Sequence, residues 1–449
     1  MRIHFIAIGG SIMHSLAIAL HQAGHQVTGS DDQVYDPART RLAAHGLLPA
    51  AEGWDASRIT PDIEAVILGM HAFGDNPEAA EAIRLGIPMY SFPEFIYQQA
   101  RQKQRIVVAG SYGKTTVTSM IMHVLEACGR KFDYLVGATV PGFENAVRLS
   151  ADAPTIIIEG DEYLASSTDP RPKFLLYQPH AVVVTGISWD HINVFPTEDI
   201  YVEQFEKLLR SLEKAAEIIY NEEDPRLTRL VNACTDDAIH YKYPFVTPPY
   251  KIRNDRFEVK IAGERFPVSV IGKHNMANMA AAWEVCKLLS IEPEEFRTHI
   301  ASFVGASLRM ETVHESDNLL IIRDYAHAPA KVEATVQAAA EKYKHRNLIA
   351  CAEMHTFSSL NKAYLRHYQG TLSKARHKIV YINPKALEKR RMPPISAKEV
   401  MQAFGDPQLR YATDTETLRR YIREACTGDD VVLMMSSGNF DGLDLKSLG

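Results

Sequence analysis

Seven consecutive residues, Gly110-Ser-Tyr-Gly-Lys-Thr-Thr116, combine what a bound phosphate requires. They follow an apolar run, Arg105-Ile-Val-Val-Ala109, and open a stretch of good helix formers that reaches about Ala127. A glycine-rich turn leading into a helix aims unpaired N–H groups at an anion. Lys114 can reach β- and γ-phosphate oxygens, and the Thr115 hydroxyl suits Mg²⁺. The general pattern for such loops wants its first glycine where Val108 stands, so this loop is two residues shorter. Two further apolar runs end in residues of metal-binding type. Thr155-Ile-Ile-Ile158 runs into Glu159-Gly-Asp-Glu-Tyr163, and Ala181-Val-Val-Val184 runs toward Trp189-Asp-His191. Ligands of an open parallel sheet collect beyond the carboxyl ends of its strands. Lys114, Thr115, Glu159 and His191 are therefore expected in one crevice. A carboxylate and a hydroxyl are ordinary partners of Mg²⁺, whereas an imidazole is a less usual one. Taken alone, Glu159 reads as a solvated carboxylate and His191 as a loop histidine; the loop at Gly110 is what gives them a shared purpose.

These residues need strands to hold them, and the chain supplies runs at the right intervals. Ile3 to Ile8, the pair Gly9–Gly10, a helical stretch from Ser11 to Ala23 and Gln26 to Gly29 read as strand, turn, helix, strand. Ala65-Val-Ile-Leu68 and the helical stretch Asn76 to Leu85 continue the alternation, which indicates a parallel α/β sheet. A polar stretch, Gln98 to Arg105, separates this region from the strand before Gly110. The central region carries a β-rich insertion near Tyr250 to Ile271 and a helix from about Asn275 to Leu289. Beyond Val304 to Ser307 a third α/β pattern follows in Leu319–Ile322, Leu348–Ala350, Ile379–Tyr381 and Val431–Met434. The expected fold is α/β in three domains: an N-terminal Rossmann-like domain over 1–103, a central P-loop ATP-binding parallel sheet over 104–305 and a C-terminal Rossmann-like domain over 306–449.

Composition narrows the possibilities. The chain has 449 residues, enough for about three domains. Its net charge of −6 argues against a nucleic-acid or membrane-surface binder, which would carry a basic excess. Five cysteines, odd in number and never spaced C-x-x-C, indicate neither a disulfide framework nor a zinc site, and fit a cytoplasmic location. Ile3 to Leu20 lacks the basic start and the cleavage site of an export signal. No run of about 18 apolar residues is long enough to span a bilayer.

Six motifs in order then resemble the signatures of the Mur ligase family. They are the loop Gly110–Thr116, Glu159-Gly-Asp-Glu162, Asp190–His191, Lys273-His-Asn-Met-Ala-Asn278, Leu308-Arg-Met-Glu311 and Asp324-Tyr-Ala-His-Ala-Pro329. Ile8-Gly-Gly-Ser11, Gly29-Ser-Asp31 and Asn76-Pro-Glu78 extend the likeness to the first third. The resemblance implies that the first domain binds a UDP-sugar, through Gly9, Gly10, Ser11, Ser30, Asp31, His71 and Asn76. The central domain would bind ATP through Gly110, Ser111, Tyr112, Gly113, Lys114, Thr115 and Thr116. His274 and Asn275 would lie near adenine and ribose, Arg309 near the γ-phosphate, and Asp324 and His327 would reach the nucleotide from the third domain. Thr115 and Glu159 would hold one Mg²⁺ and His191 a second. The implied catalytic set is Lys114, Glu159, His191 and Arg309. The implied reaction phosphorylates the carboxylate of UDP-N-acetylmuramate with ATP and then joins the acyl phosphate to an amine. No nucleic-acid or membrane partner is implied.

Departures from the pattern localise what is peculiar here. Ser111 and Tyr112 replace Thr and His of the usual loop, and Gly186 stands where an asparagine is expected. Arg309 is preceded by Leu308 rather than a second arginine, and Arg323 stands where a second aspartate is common. The position of a carbamylated lysine in several relatives falls on Glu206, and Lys207 beside it is turned about 100° away on a helix, so no carbamate is expected. On the amine side, Gly53-Trp-Asp55, Pro172-Lys-Phe174, Asp190 to Phe195 and Met435 to Phe440 favour the branch that attaches the tripeptide L-alanyl-γ-D-glutamyl-meso-diaminopimelate in peptidoglycan recycling. The alternative within the family is L-alanine in de novo synthesis. The stretch Glu353 to Ser359 departs from both, and His355, Ser358, Ser359, Lys362 and Arg366 are expected to contact the peptide, with Lys362 and Arg366 on one helix face. Outside the family, Gly9–Gly10 and Asp31 also imitate a nicotinamide-dependent oxidoreductase, although G-x-G-x-x-G is absent. A nucleotide-binding scaffold without catalysis is a third class. Lys114 is expected to face ligand, so that removing it should hardly alter folding.

Overall fold

The computed structural model describes the chain except for residues 71, 73–74, 168, 235–240, 254–255, 308 and 449. His71 and Leu308 of the motifs above lie outside the described residues. The chain divides into two units, Met1–Ile187 with Val202–Phe245 and Ala281–Ile291, and Ser188–Tyr201 with Val246–Ala280 and Glu292–Gly449.

The first unit holds two sheets. In the N-terminal sheet the strand order is Gln26–Ser30, Arg2–Ile6, Ala65–Leu68, Met89–Ser91, all parallel. Its helix Pro77–Leu85 begins at a cap that the sequence spells out. The Asn76 side chain accepts from the Glu78 and Ala79 amides, proline stands in the first turn, and Gly86 leaves the helix at φ 70°. The central sheet runs Tyr241–Phe245, Glu217–Asn221, Ala181–Val184, Gln104–Ala109, Thr155–Glu159, Asp133–Leu135, Val147–Arg148, antiparallel only in its last pair. Its three middle strands are apolar runs buried on both faces, as parallel strands between helices must be. From Gln104–Ala109 the chain moves outward to Asp133–Leu135 on one side, and later crosses to Ala181–Val184 on the other. The crevice beyond Ala109 is thus a topological switch point, where open parallel sheets place ligands.

The second unit holds the β-rich insertion, three antiparallel strands Tyr250–Arg253, Arg256–Ile261 and Glu264–Val268. It also holds a six-stranded sheet ordered Glu311–Glu315, Leu319–Asp324, Asp430–Met435, Asn347–Glu353, His377–Tyr381, Arg410–Ala412, parallel except at Glu311–Glu315. Helix Pro329–Lys342 packs Val332, Val336 and Ala339 on one face of this sheet, and helix Thr415–Ala425 packs Leu418 and Ile422 on the other. Parallel sheets covered on both sides and three α/β regions are the architecture expected from the alternation of runs. No helix among the described residues is long and apolar enough to cross a membrane.

Candidate active site

Strand Gln104–Ala109 delivers the chain to Gly110, whose φ of 127° and close approach to Thr185 leave no room for a side chain. Gly113, at φ 77°, caps the helix Lys114–Ala127 without any side-chain hydrogen bond at its N-terminus. The first-turn N–H groups are therefore open to an anion at the positive end of a 14-residue helix. Ser111 is buried, and its amide donates to the Gly186 carbonyl at 3.0 Å. The loop is thereby tied to the end of the neighbouring strand.

Lys114 Nζ donates to the Gly110 carbonyl at 2.7 Å and to Glu162 Oε2 at 2.6 Å. Burial works against its charge, but Glu162, Asp161 and Glu159 outweigh that effect and raise its pKa. Glu162 itself is 1% exposed. The expectation that Lys114 serves ligand alone is therefore corrected: the ammonium also neutralises a buried carboxylate. Asp161, next in the same turn, is held by Lys173 at 2.6 Å. The Thr115 hydroxyl donates to Glu159 Oε1 at 2.8 Å, and the other Glu159 oxygen accepts from the Gly137 amide at 2.7 Å. A Cβ at Gly137 would come within 3.0 Å of that carboxylate. Two hard oxygen donors side by side at a phosphate loop fit Mg²⁺, which takes one or two protein oxygens and completes its shell with phosphate and water. Among the described residues no group of three or more His, Cys, Asp or Glu stands close enough to hold a metal by itself.

Two departures from the family pattern prove to be one. Tyr112 is half-buried and shares a hydrogen bond with Asn221, and the burial of its hydroxyl lifts it to about 12. A Cβ at Gly186 would lie inside van der Waals contact with this hydroxyl and 3.0 Å from Cε1. Gly186, at φ 156°, leaves the space that the tyrosine fills. Asn221 Nδ2 also donates to the Thr185 carbonyl at 3.1 Å, so tyrosine, asparagine and strand end form one assembly. No sequence signal linked positions 74 residues apart.

In the N-terminal region Gly9 N donates to Asp31 Oδ2 at 2.6 Å, fixing the turn before helix Met13–Gln22. Burial, together with Asp32, pushes the Asp31 carboxyl up to about 6. Helix Met13–Gln22 starts at Ile12 with no side-chain cap, so the amides beyond Gly9, Gly10 and exposed Ser11 suit a diphosphate. Ser30 differs from expectation. It is fully buried and gives its hydroxyl to Glu78, which also accepts from the Asp55 amide at 2.9 Å and sits 3.3 Å from His4 Nε2. Asn76 spends its side-chain oxygen on the helix cap. Arg41, which sequence reasoning missed, reaches His14 Nε2 at 3.1 Å and Asn145 Oδ1 at 2.8 Å.

The second unit assembles its own group of expected residues. His191 sits at φ 54°, and its amide donates to Asp190 Oδ1 at 2.7 Å. Lys331 Nζ lies 3.7 Å from Asp190 Oδ2. Asp324 is buried and accepts from the Met310 and Ala326 amides at 2.8 Å each, which orders the turns carrying Arg309 and His327. Burial raises its pKa against the pull of Arg309. Arg309 lies over the Tyr325 ring at 5.1 Å. Burial lowers His274 to about 4, and its Nδ1 is buried without a hydrogen-bond partner. Asn275 differs from a free ligand contact: its amide spans Ile271 O at 2.8 Å and Asn278 at 3.3 Å.

At the carboxyl ends of the six-stranded sheet, buried Glu353 accepts from the Ser436 hydroxyl and from the Phe440 amide at 2.9 Å. His355 Nδ1 lies 3.8 Å from Glu353, and Arg390 and Lys389 act on the same imidazole. The hydroxyls of Tyr381 and Ser437 are buried here without hydrogen-bond partners. Three of the residues expected here, Ser358, Ser359 and Lys362, are otherwise engaged. Lys362 pairs with Glu399 at 2.7 Å, the α-helix Lys362–Leu365 ends before Arg366, Ser358 accepts from the Ile192 amide at 3.3 Å, and Ser359 closes a turn with Thr356. Lys207 pairs with Glu203 at 3.0 Å and Glu206 with Arg210 at 2.8 Å along helix Glu198–Arg210.

Comparison with known proteins agrees along the whole chain. Residues 2–104 match the model of the Mur ligase family catalytic domain, 108–286 the Mur ligase middle domain, and 308–438 the Mur ligase glutamate ligase domain. The chain is 28% identical over 456 residues to the UDP-N-acetylmuramate–L-alanyl-γ-D-glutamyl-meso-2,6-diaminoheptandioate ligase of Escherichia coli, covering 100% of this chain and 98% of that protein. It is 30% identical over 452 residues to the UDP-N-acetylmuramate–L-alanine ligase of Agathobacter rectalis, covering 98% and 96%. Among solved structures, the UDP-N-acetylmuramate-alanine ligase of Thermotoga maritima shares the fold with a TM-score of 0.71 at 19% identity, over 98% of this chain and 97% of that one. A murein peptide ligase of Psychrobacter arcticus does so with a TM-score of 0.67 at 22% identity, again over 98% and 97%. The dinucleotide-oxidoreductase reading of Gly9–Gly10 and the non-catalytic reading both give way. The chain belongs to the Mur ligase family of ATP-dependent, amide-bond-forming ligases.

Proposed function

We propose that this ligase joins the carboxylate of UDP-N-acetylmuramate to the L-alanyl amine of the tripeptide L-alanyl-γ-D-glutamyl-meso-diaminopimelate. The domain limits that go with this reading are 1–103 for the UDP-sugar, 104–305 for ATP and 306–449 for the amine. The carboxylate oxygen attacks the γ-phosphorus of ATP, giving an acyl phosphate and ADP. The amine then attacks the acyl carbon, and phosphate leaves. Lys114 and the first-turn amides of helix Lys114–Ala127 would bind the phosphates, and Thr115 and Glu159 would hold Mg²⁺, whose charge would offset that of the transferring group. By the family resemblance, Arg309 is assigned to the γ-phosphate and His191 to a second Mg²⁺.

The observation that carries the tripeptide assignment is the group at the carboxyl ends of the six-stranded sheet. Lys389 and Arg390, whose charge is felt at His355, and the unpartnered Tyr381 and Ser437 hydroxyls supply cationic and polar groups toward this end of the sheet. A tripeptide with carboxylates beyond its reacting amine uses such contacts; L-alanine has one carboxylate. The full-length likeness to the Escherichia coli ligase supports the same choice. The likeness to alanine ligases at similar identity supports the competing one. Phosphate release is measured with ATP, Mg²⁺ and UDP-N-acetylmuramate, offering tripeptide and L-alanine separately. Remote contacts of this kind raise kcat/KM, so the tripeptide is expected to win by at least tenfold. A preference for L-alanine overturns the assignment.

A further inference from the structure

Glu78 is a carboxylate sealed from solvent. Its side chain is 0% exposed, and the His4 imidazole beside it is 1% exposed. Such burial costs free energy that an ion pair does not reliably return, so stability alone is a poor reason to keep an acid here. Its place in the first turn of helix Pro77–Leu85 helps, because the helix dipole favours an anion there. The rest comes from four polar groups on separate stretches of chain. Oε2 accepts from the Ser30 hydroxyl and lies 3.3 Å from His4 Nε2. Oε1 accepts from the Asp55 amide at 2.9 Å and from Arg58 Nη1 at 3.4 Å. Burial pushes the Glu78 pKa upward, but His4, the Asp55 amide and Ser30 outweigh it and hold the carboxyl below its ordinary range. It is therefore an anion at neutral pH.

The groups it gathers lead on toward the turn at Gly9. Arg58 Nη1 also donates to the Gly53 carbonyl at 2.6 Å, and Nη2 to the Ala51 carbonyl at 3.1 Å. The Gly53 amide donates to the Asp31 carbonyl at 2.7 Å, and Asp31 Oδ2 accepts from the Gly9 amide at 2.6 Å. A continuous chain of contacts thus runs from the buried carboxylate through Arg58 and Gly53 to Asp31 and Gly9. Ser30 closes it into a ring, because it precedes Asp31 at the end of strand Gln26–Ser30. Asp31 and the amides beyond Gly9 stand past the carboxyl ends of two adjacent parallel strands, where such sheets take ligands. Groups that meet a ligand need a supporting layer that locks them in the productive geometry. We propose that Glu78 is the positioning residue for the UDP end of the sugar nucleotide, acting through Arg58 and Ser30 on the turn at Gly53 and on Asp31. This rests on the reading that the N-terminal domain binds the UDP-sugar. It gives Ser30 a part behind the site rather than in it.

The test compares Glu78→Gln, Arg58→Gln and the double variant with the parent, using the full chain with Mg²⁺. Steady-state assays give kcat and the KM for UDP-N-acetylmuramate and for ATP, with UDP as a competing inhibitor. Glu78→Gln keeps the shape but turns one acceptor into a donor that faces donors. Losing a hydrogen bond to a charged group costs about tenfold or more in affinity, so the KM for UDP-N-acetylmuramate and the inhibition constant of UDP should each rise by about that factor. The kcat and the KM for ATP should stay within about twofold, the mark of a loss confined to binding one substrate. Arg58→Gln, on a side chain 26% exposed, should act in the same direction more weakly, and the double variant should be no worse than Glu78→Gln. An unmoved KM for UDP-N-acetylmuramate, a loss shared equally with ATP, a UDP inhibition constant that does not follow that KM, a parent that UDP does not inhibit, or two substitutions whose effects simply multiply each overturns the proposal. A parent whose turnover does not depend on UDP-N-acetylmuramate removes the reading beneath it as well, so the two failures are distinct. Melting curves show whether Glu78→Gln unfolds, and in that event Arg58→Gln, which leaves the other three groups on the carboxylate, decides by the same constants.

Discussion

Replacing Lys114 by alanine perturbs two things at once, and the structure separates them. The first is catalysis. Removing a cation from a phosphoryl-transfer site costs about 2.7–4 kcal/mol in the barrier, roughly a hundred- to a thousandfold in kcat. The second is stability. Lys114 Nζ is 2.6 Å from Glu162 Oε2, and the two side chains are 14% and 1% exposed. Breaking a buried pair by removing one partner costs about 3–5 kcal/mol, because the other charge stays buried. Protonation of Glu162 will absorb part of that, so a loss of about 2–4 kcal/mol near neutral pH is the working figure. For a chain of this length such a loss lowers the melting temperature by several degrees. The decisive comparison is Lys114→Met combined with Glu162→Gln, which removes both charges. Urea melts should show most of the lost stability restored, while phosphate release stays at the level of the single lysine variant. If the double variant is as unstable as Lys114→Ala, Glu162 is not what the lysine supports. If Lys114→Ala keeps near-parental turnover, the loop at Gly110 does not bind ATP.

Three further outcomes follow from the same geometry. Gly186→Ala drives a methyl group into Tyr112 and strains a left-handed backbone, which together cost about 2–5 kcal/mol; Tyr112→Ala should relieve at least 1 kcal/mol of it in a double-mutant cycle, and additivity within about 0.5 kcal/mol would refute the coupling. Glu159→Gln keeps the Thr115 hydrogen bond but weakens the oxygen pair for a cation, so the Mg²⁺ concentration at half-maximal rate should rise while ATP-free stability holds; an unchanged Mg²⁺ titration removes Glu159 from the metal. His274 has a folded pKa of about 4 against 6.5 unfolded, so the folded state resists its protonation and loses stability as pH falls from about 6.5 to 4, amounting to about 3 kcal/mol when complete. Melting curves over that range should be flatter for His274→Asn, and parallel curves would show the histidine to be solvated.

The sequence revealed the elements whose physics is local. Runs such as Thr155–Ile158 and Ala181–Val184 are apolar throughout because both faces of a parallel strand are covered, and they were readable at once. The cap at Asn76 and the turn at Gly110 carry their own residue signals. Strands without such a signal escaped. Val147–Arg148 has two residues, Arg410–Ala412 is a short edge strand, and Tyr241–Phe245 carries lysine and proline at a sheet edge. Residue types and order pointed to Lys114, Thr115 and Glu159, which the structure places together with partners on adjacent strand ends. They did not show that Ser30 is sealed under Glu78, that Lys362 belongs to Glu399, or that Lys389 and Arg390 act electrostatically on His355. Those facts depend on which long side chains meet across the fold, and neither periodicity nor motif spacing encodes that.

The fit between Tyr112 and Gly186 also constrains descent. Starting from a side chain at 186, a tyrosine arriving first at 112 meets an occupied site, and the intermediate carries the full overlap. Starting from glycine, the same tyrosine enters open space. Glycine first is the order that avoids that overlap. With the tyrosine in place, a side chain at 186 obliges the phenol ring to move. The pair therefore favours one direction of change. Among related chains, tyrosine at this loop position should never occur beside a side chain at the other, whereas glycine with a smaller loop residue should survive as the trace of the ancestral step.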